Sequence, residues 1–548
     1  MPVTTSFPGI YIQELPSSVH SISAAPTNIA VFIGYTHPLK TSPSIAGIPQ
    51  QLFGFSDYQR AFGGFLRSTL YSNNSGDFGD MATAVNQFFL NGGTEAYVVG
   101  LLPSDAPFTA PTLTYGSVVF TATQVTDATF QLSVSVTPNP ATVASPPASS
   151  ITADVVITYG PSLQANAGGA LLPGTVTETY RRVSLSPNAA DGTPNPNYIL
   201  RAIGTTANPI SALVTVSLGA HPAWPTTFPP QPEYFVPLFS GAVTDVFTAN
   251  DYTSVMAQNT PLDKLAVFNL MVLPGVTNTE VLSTALSFCE NKLAFLVMDP
   301  PQTATADSTW NPPNPIANLI TLIPKSANGA LYFPYLQSPD PLTGSATNPV
   351  TGAVNEIPPA ATVAGIYAAT DVARGVWKAP AGFQATTNNT TGCVLRGVMT
   401  DQRQGVLNPL GINCLRDFAN IGTAVFGART LVTLTDQQWR YVPVRRTALF
   451  LEQSLVASLK WVIFEPNADP LWSAIRITIN AFMLGLYNQG AFQGTSPSQA
   501  FTVQCDSQTT TQADIDNGIV NIIVGFAPLL PAEFVIISIA QLAGQSSS

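Results

Sequence analysis

Charge is what this sequence has least of. Of its 548 residues only 9% are Asp, Glu, Lys or Arg, against about 25% in an average soluble domain. A protein that stays dispersed as a monomer keeps a charged surface. Either a neutral Ser/Thr/Asn-rich surface serves instead, or much of the surface is covered, most simply by copies of the same chain. Basic clusters are missing too. Beyond the pairs Arg181, Arg182 and Arg445, Arg446 there is no Lys/Arg run, and the net charge is −11. Neutralising phosphates is what drives nucleic-acid affinity, so the composition argues against direct nucleic-acid binding.

Cysteine and histidine are scarce. The four cysteines, Cys289, Cys393, Cys414 and Cys505, form no C-x-x-C pair, so neither a zinc site nor a disulfide framework is expected, and all four read as small buried side chains. The three histidines, His20, His37 and His221, stand alone in Pro/Ser-rich loops. H-E-x-x-H, a Walker loop, G-x-G-x-x-G and G-x-S-x-G are all absent. The run 514–518, Asp-Ile-Asp-Asn-Gly, lacks the spacing and closing Glu of a calcium loop and reads as a turn. Asp299-Pro300-Pro301 follows a predicted parallel strand, where α/β enzymes place their sites, but no acid, base or phosphate cradle accompanies it. We therefore expect no enzyme, no cofactor and no metal.

Long hydrophobic runs are missing as well. The most apolar stretch, 518–544, is interrupted by Pro528, Pro531 and Glu533, whereas a spanning helix needs about 20 largely uninterrupted apolar residues. The opening Met1-Pro2-Val3-Thr4-Thr5 is not a basic region followed by an apolar run. These features predict neither a membrane anchor nor a secretory signal, and a place in the cytoplasm.

What is present divides the chain into about three or four domains' worth of structure. Residues 1–25 read as an extended leader with a short strand over 10–15, bounded by Pro8-Gly9 and Pro16. The run 30–35 is a buried strand, 56–62 a short helix stopped by Gly63-Gly64, 81–90 a helix ended by Asn91-Gly92-Gly93, and 96–99 a strand. From 104 to 235 Pro, Thr, Ala, Ser and Val dominate in β-prone runs such as 117–122, 130–136 and 153–159, which predicts a loosely connected β-rich insertion on the outside of an assembly. A strand over 264–273, a helix opened by a Thr277-x-x-Glu280 capping box and a strand over 293–298 make a βαβ unit with parallel strands. Another strand is expected over 330–333, and a helical stripe runs from Val444 through Ala448, Leu451, Leu455 and Leu459.

The helix expected over 470–487 carries two apolar stripes: Leu471, Ile475, Ile479, Phe482, Leu486 and, on another side, Ile477, Ala481, Leu484. A one-sided helix needs one stripe, so this one either lies deep in a core or packs on a second partner. Strands follow over 500–506 and 519–525 with Asn517-Gly518 as the turn between them, and a last strand over 533–540. The two end strands must add to some sheet edge. Added to the chain's own sheet they give a monomer; added to neighbours they give an array, which is a helix or filament if the link does not close.

Several motifs in fixed order resemble the tail sheath proteins of contractile phages and related bacterial injection particles. They are Phe7-Pro8-Gly9-Ile10-Tyr11-Ile12-Gln13-Glu14, Ala30-Val31-Phe32-Ile33-Gly34, Phe62-Gly63-Gly64 and Val85-Asn86-Gln87-Phe88-Phe89-Leu90-Asn91-Gly92-Gly93. Further on come Gly365-Ile366-Tyr367, Asp371-Val372-Ala373-Arg374-Gly375-Val376-Trp377-Lys378-Ala379-Pro380, Asn408-Pro409-Leu410-Gly411-Ile412-Asn413 and Gly427-Ala428-Arg429-Thr430. The strongest are Trp439-Arg440-Tyr441-Val442-Pro443-Val444-Arg445-Arg446, Trp461-Val462-Ile463-Phe464-Glu465-Pro466-Asn467 and Pro531-Ala532-Glu533-Phe534. The likeness covers about 1–100 and 260–542 and leaves the insertion unmatched.

The resemblance implies an α/β (α+β mixed) core built from N- and C-terminal parts, a β-rich inserted outer domain and extended terminal strand arms. The divisions expected are an arm over 1–25, core over 26–103, insertion over 104–235, an α/β domain over 236–400, a C-terminal core over 401–530 and a C-terminal arm over 531–548. It implies stacked, commonly sixfold rings around an inner tube, contracting to drive that tube through a target membrane. Carried onto this chain, Ile10, Tyr11, Ile12 and Glu14 form the N-terminal inter-subunit arm, and Phe534, Val535, Ile536 and Ile537 the C-terminal one. Phe501, Val503, Asn517, Gly518 and Ile522 form the docking hairpin, and Arg476, Asn480, Leu484 and Asn488 the contact with the tube. The implied partners are the chain itself, the inner tube protein, and baseplate and terminal cap proteins; the implied location is a particle in the bacterial cytoplasm or a virion tail. The rival readings are another self-assembling protein of tail-tube or surface-layer type, and an α/β enzyme, for which the βαβ unit is the only support.

Overall fold

A computed structural model describes residues 20–66, 80–102, 109–127, 130–139, 151–166, 171–172, 175–189, 191–238, 248–301, 324–339, 341, 354–394, 399–432, 436–534 and 536–537. The strand expected over 10–15 and residue Val535 lie outside them. The chain forms two compact units, one from Thr27–Arg374 and Ala379–Arg445, the other from Met1–Pro26, Gly375–Lys378 and Arg446–Ser548.

The larger unit is organised by an eight-stranded sheet. Its order is Gly422–Val425, Ile412–Phe418, Gly329–Phe333, Phe295–Met298, Leu270–Val272, Ile29–Tyr35, Glu95–Leu101, Gln50–Leu52. The six inner strands are parallel and the two outermost pair antiparallel. A parallel sheet is covered on both faces, which is why Ala30, Val31, Phe32 and Ile33 form an unbroken apolar run and are all fully buried. Val31 and Ile33 join a cluster with Val281, Leu282 and Ala285 of the helix Thr279–Lys292. Phe32 packs edge-on against Phe88 at 5.3 Å, on the helix Asp80–Leu90. That helix lies close against the helix Ala360–Arg374: a Cβ on Gly365 would come within 2.5 Å of the Phe88 carbonyl oxygen.

The βαβ unit is present with changed details. Its first strand is only Leu270–Val272, and the helix is capped by Asn278, whose side chain accepts from the Glu280 and Val281 N–H groups, rather than by Thr277. An Asn at the cap meets the same orphan donors that the expected Thr would have met. The sheet also runs across the division expected at residue 400, since Leu331 pairs with Ile412 and Phe333 with Cys414.

Residues 112–235 form two further sheets. One holds Glu233–Tyr234, Phe130–Pro138, Ala153–Pro161 and Val176–Val183, the other Thr112–Tyr115, Val118–Ala122 and Val214–Leu218. They enclose one cluster that includes Phe120, Phe130, Val134, Ile157, Tyr159 and Trp224. This part is better packed than its composition suggested: alternate residues of Ala153–Pro161 are fully buried, the period-2 signature of a strand facing a core.

Candidate assembly surface of the C-terminal unit

The smaller unit is built around the 20-residue helix Asp469–Asn488. Pro470 sits at its first turn, where the missing N–H costs nothing. Leu471, Ile475, Ile479 and Leu486, with Trp472 and Met483, are buried in a cluster shared with Phe450, Leu451, Phe492 and Phe501. The second stripe points outward: Ile477 is 70% and Leu484 41% exposed, and Ala481, Asn480 and Asn488 are exposed beside them. Of the two alternatives left open by the sequence, one stripe is core and the other is an uncovered apolar face. Arg476 does not belong to that face. It is half-buried and donates to the Cys505 carbonyl and to Ser473 Oγ, the latter at 3.0 Å, so it ties the helix to the strand that follows.

The expected docking hairpin is a two-stranded antiparallel sheet, Phe501–Gln504 with Ile523–Phe526, in the register Phe501 to Phe526 and Val503 to Val524. Phe501 is buried and Val503, Ile522, Val524 and Phe526 pack half-buried on the cluster, while Thr502, Gln504 and Ile523 face out. Among the described residues no third strand joins it. The Asn517-Gly518 turn is a correction: these residues end the short helix Gln512–Asp516, which Thr511 and Asp514 open with a capping box. Gly518 takes a φ of +71° and the Ile519 N–H reaches back to the Asp514 carbonyl at 2.8 Å. An Asn-Gly pair serves a helix C-terminus as readily as a hairpin, because both need a left-handed residue.

The two chain ends meet this unit differently. Ala25 N–H donates to Ser454 Oγ at 2.9 Å, Ser23 N–H to Ser458 Oγ at 3.2 Å, and the His20 carbonyl accepts from Thr478 Oγ1 at 3.3 Å. His20 also stacks flat on Trp461 at 3.9 Å. At the other end Phe534, Ile536 and Ile537 are 74%, 90% and 80% exposed and belong to no strand of their own chain. The motif 461–467 carries part of the family resemblance, but the sequence assigned it no structure; it lies in the loop between the helices Val442–Ser458 and Asp469–Asn488. There Ile463 (φ −68°, ψ 127°) and Phe464 (φ +70°) form a type II turn closed by Glu465 N–H to the Val462 carbonyl at 3.2 Å. The second central position of such a turn belongs to glycine, and a side chain there costs roughly 1–2 kcal/mol. Phe464 is also fully exposed.

The topological switch point of the large sheet, between Ile29–Tyr35 and Leu270–Val272, is where an α/β enzyme would hold its ligand. Here the Tyr35 hydroxyl donates to Asp251, and Asp299 accepts Gly275 N–H at 3.0 Å and Ala360 N–H at 2.7 Å. Burial raises the Asp299 carboxyl to about 7 despite those two bonds. Both carboxylates are thus engaged by their own chain. Among the described residues no group of three or more His, Cys, Asp or Glu could hold a metal ion, and no helix is long and apolar enough to cross a membrane.

Two family descriptions match this chain. Residues 246–431 match the phage tail sheath protein central domain and 435–541 the phage tail sheath C-terminal domain, together just over half of the sequence. The chain belongs to the phage tail sheath protein family. A prophage major tail sheath protein of Pseudomonas aeruginosa is 26% identical over 302 residues, covering 54% of this sheath protein and 70% of the relative. The tail sheath protein of Vibrio phage KVP40 is 28% identical over 163 residues, 29% of this chain and 23% of that one. Two solved structures share the fold at 22% identity: the sheath complex of the extracellular contractile injection system PVC in its contracted state, with TM-score 0.57 over 98% of this chain and 99% of the other, and the anti-feeding prophage helical sheath in its contracted state, with TM-score 0.56 over 98% and 100%. The protein is a tail sheath protein, a structural component of a phage-tail-like particle.

Proposed function

We propose that copies of this subunit stack as rings, sixfold in number, into a helical sleeve around an inner tube, and that contraction of the sleeve drives the tube through a target membrane. The observation that carries this reading is the open two-stranded sheet. A sheet of two strands is marginal by itself and gains from a third, and strand addition joins chains through backbone hydrogen bonds at little cost in specificity. The segment around Phe534, Ile536 and Ile537 has the composition of such a strand and no strand partner of its own among the described residues. Burying each of these side chains in a neighbour contributes about 2 kcal/mol. Ile10, Tyr11, Ile12 and Glu14 take the same role at the N-terminal end. The arms then hold while the core faces exchange partners.

The outward stripe Ile477, Ala481, Leu484, flanked by Asn480 and Asn488, is the face we assign to the inner tube; Arg476 positions the helix that carries it. Baseplate and cap proteins contact the first and last rings. Assembled particles of this kind reside in the bacterial cytoplasm or form a virion tail. The test is removal of residues 1–19, and separately of 531–548. Each shortened protein should remain folded by circular dichroism and form no tubes under negative-stain microscopy. Tubes from either variant at wild-type yield would refute the arm assignment.

A further inference from the structure

We infer that the Ile463–Phe464 turn is a preformed knob that inserts into a second copy of this chain. Phe464 occupies the glycine position of a type II turn, so the fold of the isolated subunit would be better served by glycine. Its ring is fully exposed and Ile463 beside it is 62% exposed, so the isolated subunit gains nothing from burial either. A residue that is unfavourable for both backbone and side chain is expected where a bound state supplies the compensation. Aromatic anchors on rigid turns are the usual centres of such interfaces.

The turn is held rigidly. Trp461, two residues before Ile463, lies beneath the His20 ring. On the far side Asn467 accepts from Trp472 Nε1 at 2.9 Å and donates to the Ile519 carbonyl at 2.9 Å. Holding the loop at both ends removes the ordering cost that a free loop would meet on docking.

The length of chain before His20 favours a second copy as the occupant. Nineteen residues precede His20, and His20 stacks on Trp461, three residues from Phe464. Fully extended they reach about 65 Å, far enough to engage an adjacent subunit from a root beside the knob. This step rests on the sheath reading above: if that segment joins a neighbouring copy, the same neighbour is brought to Phe464. A single knob is not self-complementary, so its pocket lies elsewhere on the second copy. Such a heterologous contact builds a ring where its rotation closes and a helix where it does not.

Three variants of the full chain test this. Phe464→Gly should melt at or above the wild-type temperature as an isolated subunit, because it relieves the turn, yet raise the concentration needed for tube formation at least tenfold. Phe464→Leu should recover most of the assembly. With p-benzoylphenylalanine at position 464, irradiation of tubes should give a product of twice the 57.7 kDa subunit mass, with the crosslinked peptide from the same sequence. If wild-type protein forms no tubes, the sheath reading itself fails. If wild type forms tubes and Phe464→Gly forms them at the same concentration, or if the crosslink lands on a different protein or on none, the knob is refuted while the sheath reading stands.

Discussion

Asp299 shows what single residues contribute to this fold. Its carboxyl is buried and joins the loop at Gly275 to the start of the helix Ala360–Arg374. Desolvation raises it to about 7 in the folded protein, against about 3.9 unfolded. The native state therefore holds a proton that the unfolded state releases, so the contribution of Asp299 to stability falls as pH rises from about 4 to about 7, by up to about 4 kcal/mol, and is flat above. The carboxylates of Asp154, Asp191, Asp263 and Asp514 are shifted downward by hydrogen bonds, so their contribution is lost only as pH drops below that window. Asp299→Asn should remove this downward contribution and leave the opposite one of buried His37, whose pKa burial lowers, so that urea midpoints rise rather than fall between pH 4.5 and about 6.5. It should cost about 1–3 kcal/mol at the acid end, where one backbone N–H loses its acceptor. The sequence marked Asp299 by its place after a strand but could not tell a ligand-binding acid from a fastening one, since that depends on backbone groups 24 and 61 residues away.

At the scale of elements, the helix Asp469–Asn488 gives the sharpest contrast. Ile475→Ala or Ile479→Ala empties a fully buried site and should cost about 2–4 kcal/mol. Ile477→Ala, two positions from either, should change stability by less than about 0.5 kcal/mol. Guanidinium unfolding of the three variants measures this, and equal losses would place Ile477 in the core. The 3.6-residue period made both stripes legible in the sequence. It could not rank them, because Ile475 and Ile477 have the same chemistry and only tertiary packing separates them. The Asn517-Gly518 pair was misread for a related reason. Thr511-x-x-Asp514 announces a helix start six residues earlier, and a pair that ends a helix looks the same as one that turns a hairpin. The turn at Phe464 was not legible as a turn, although 461–467 stands out as a family motif, because its conformation contradicts its residue type.

At the scale of the molecule, the parallel strands were readable one by one as apolar runs, but their order was not. Nothing local tells Ile29–Tyr35 to lie between Glu95–Leu101 and Leu270–Val272. The interruption that separates them in sequence carries a core of its own, Tyr115 to Phe235. Residues 109–238 expressed alone should therefore fold into a β-rich protein with a cooperative thermal transition; a featureless melt would mean that this core depends on the large sheet.

The strap at Ser23 and Ala25 has a consequence for biosynthesis. Ala25 bonds to a serine 429 residues further along the chain. At roughly 5–20 residues per second of translation, the N-terminal segment waits on the order of 20–90 s for the helix that receives it. The unit that carries the knob, the outward stripe and the open sheet is therefore completed only after the helix Asp469–Asn488 has been made. On the proposed function, a nascent chain that has not yet reached this helix offers none of these surfaces to a neighbour.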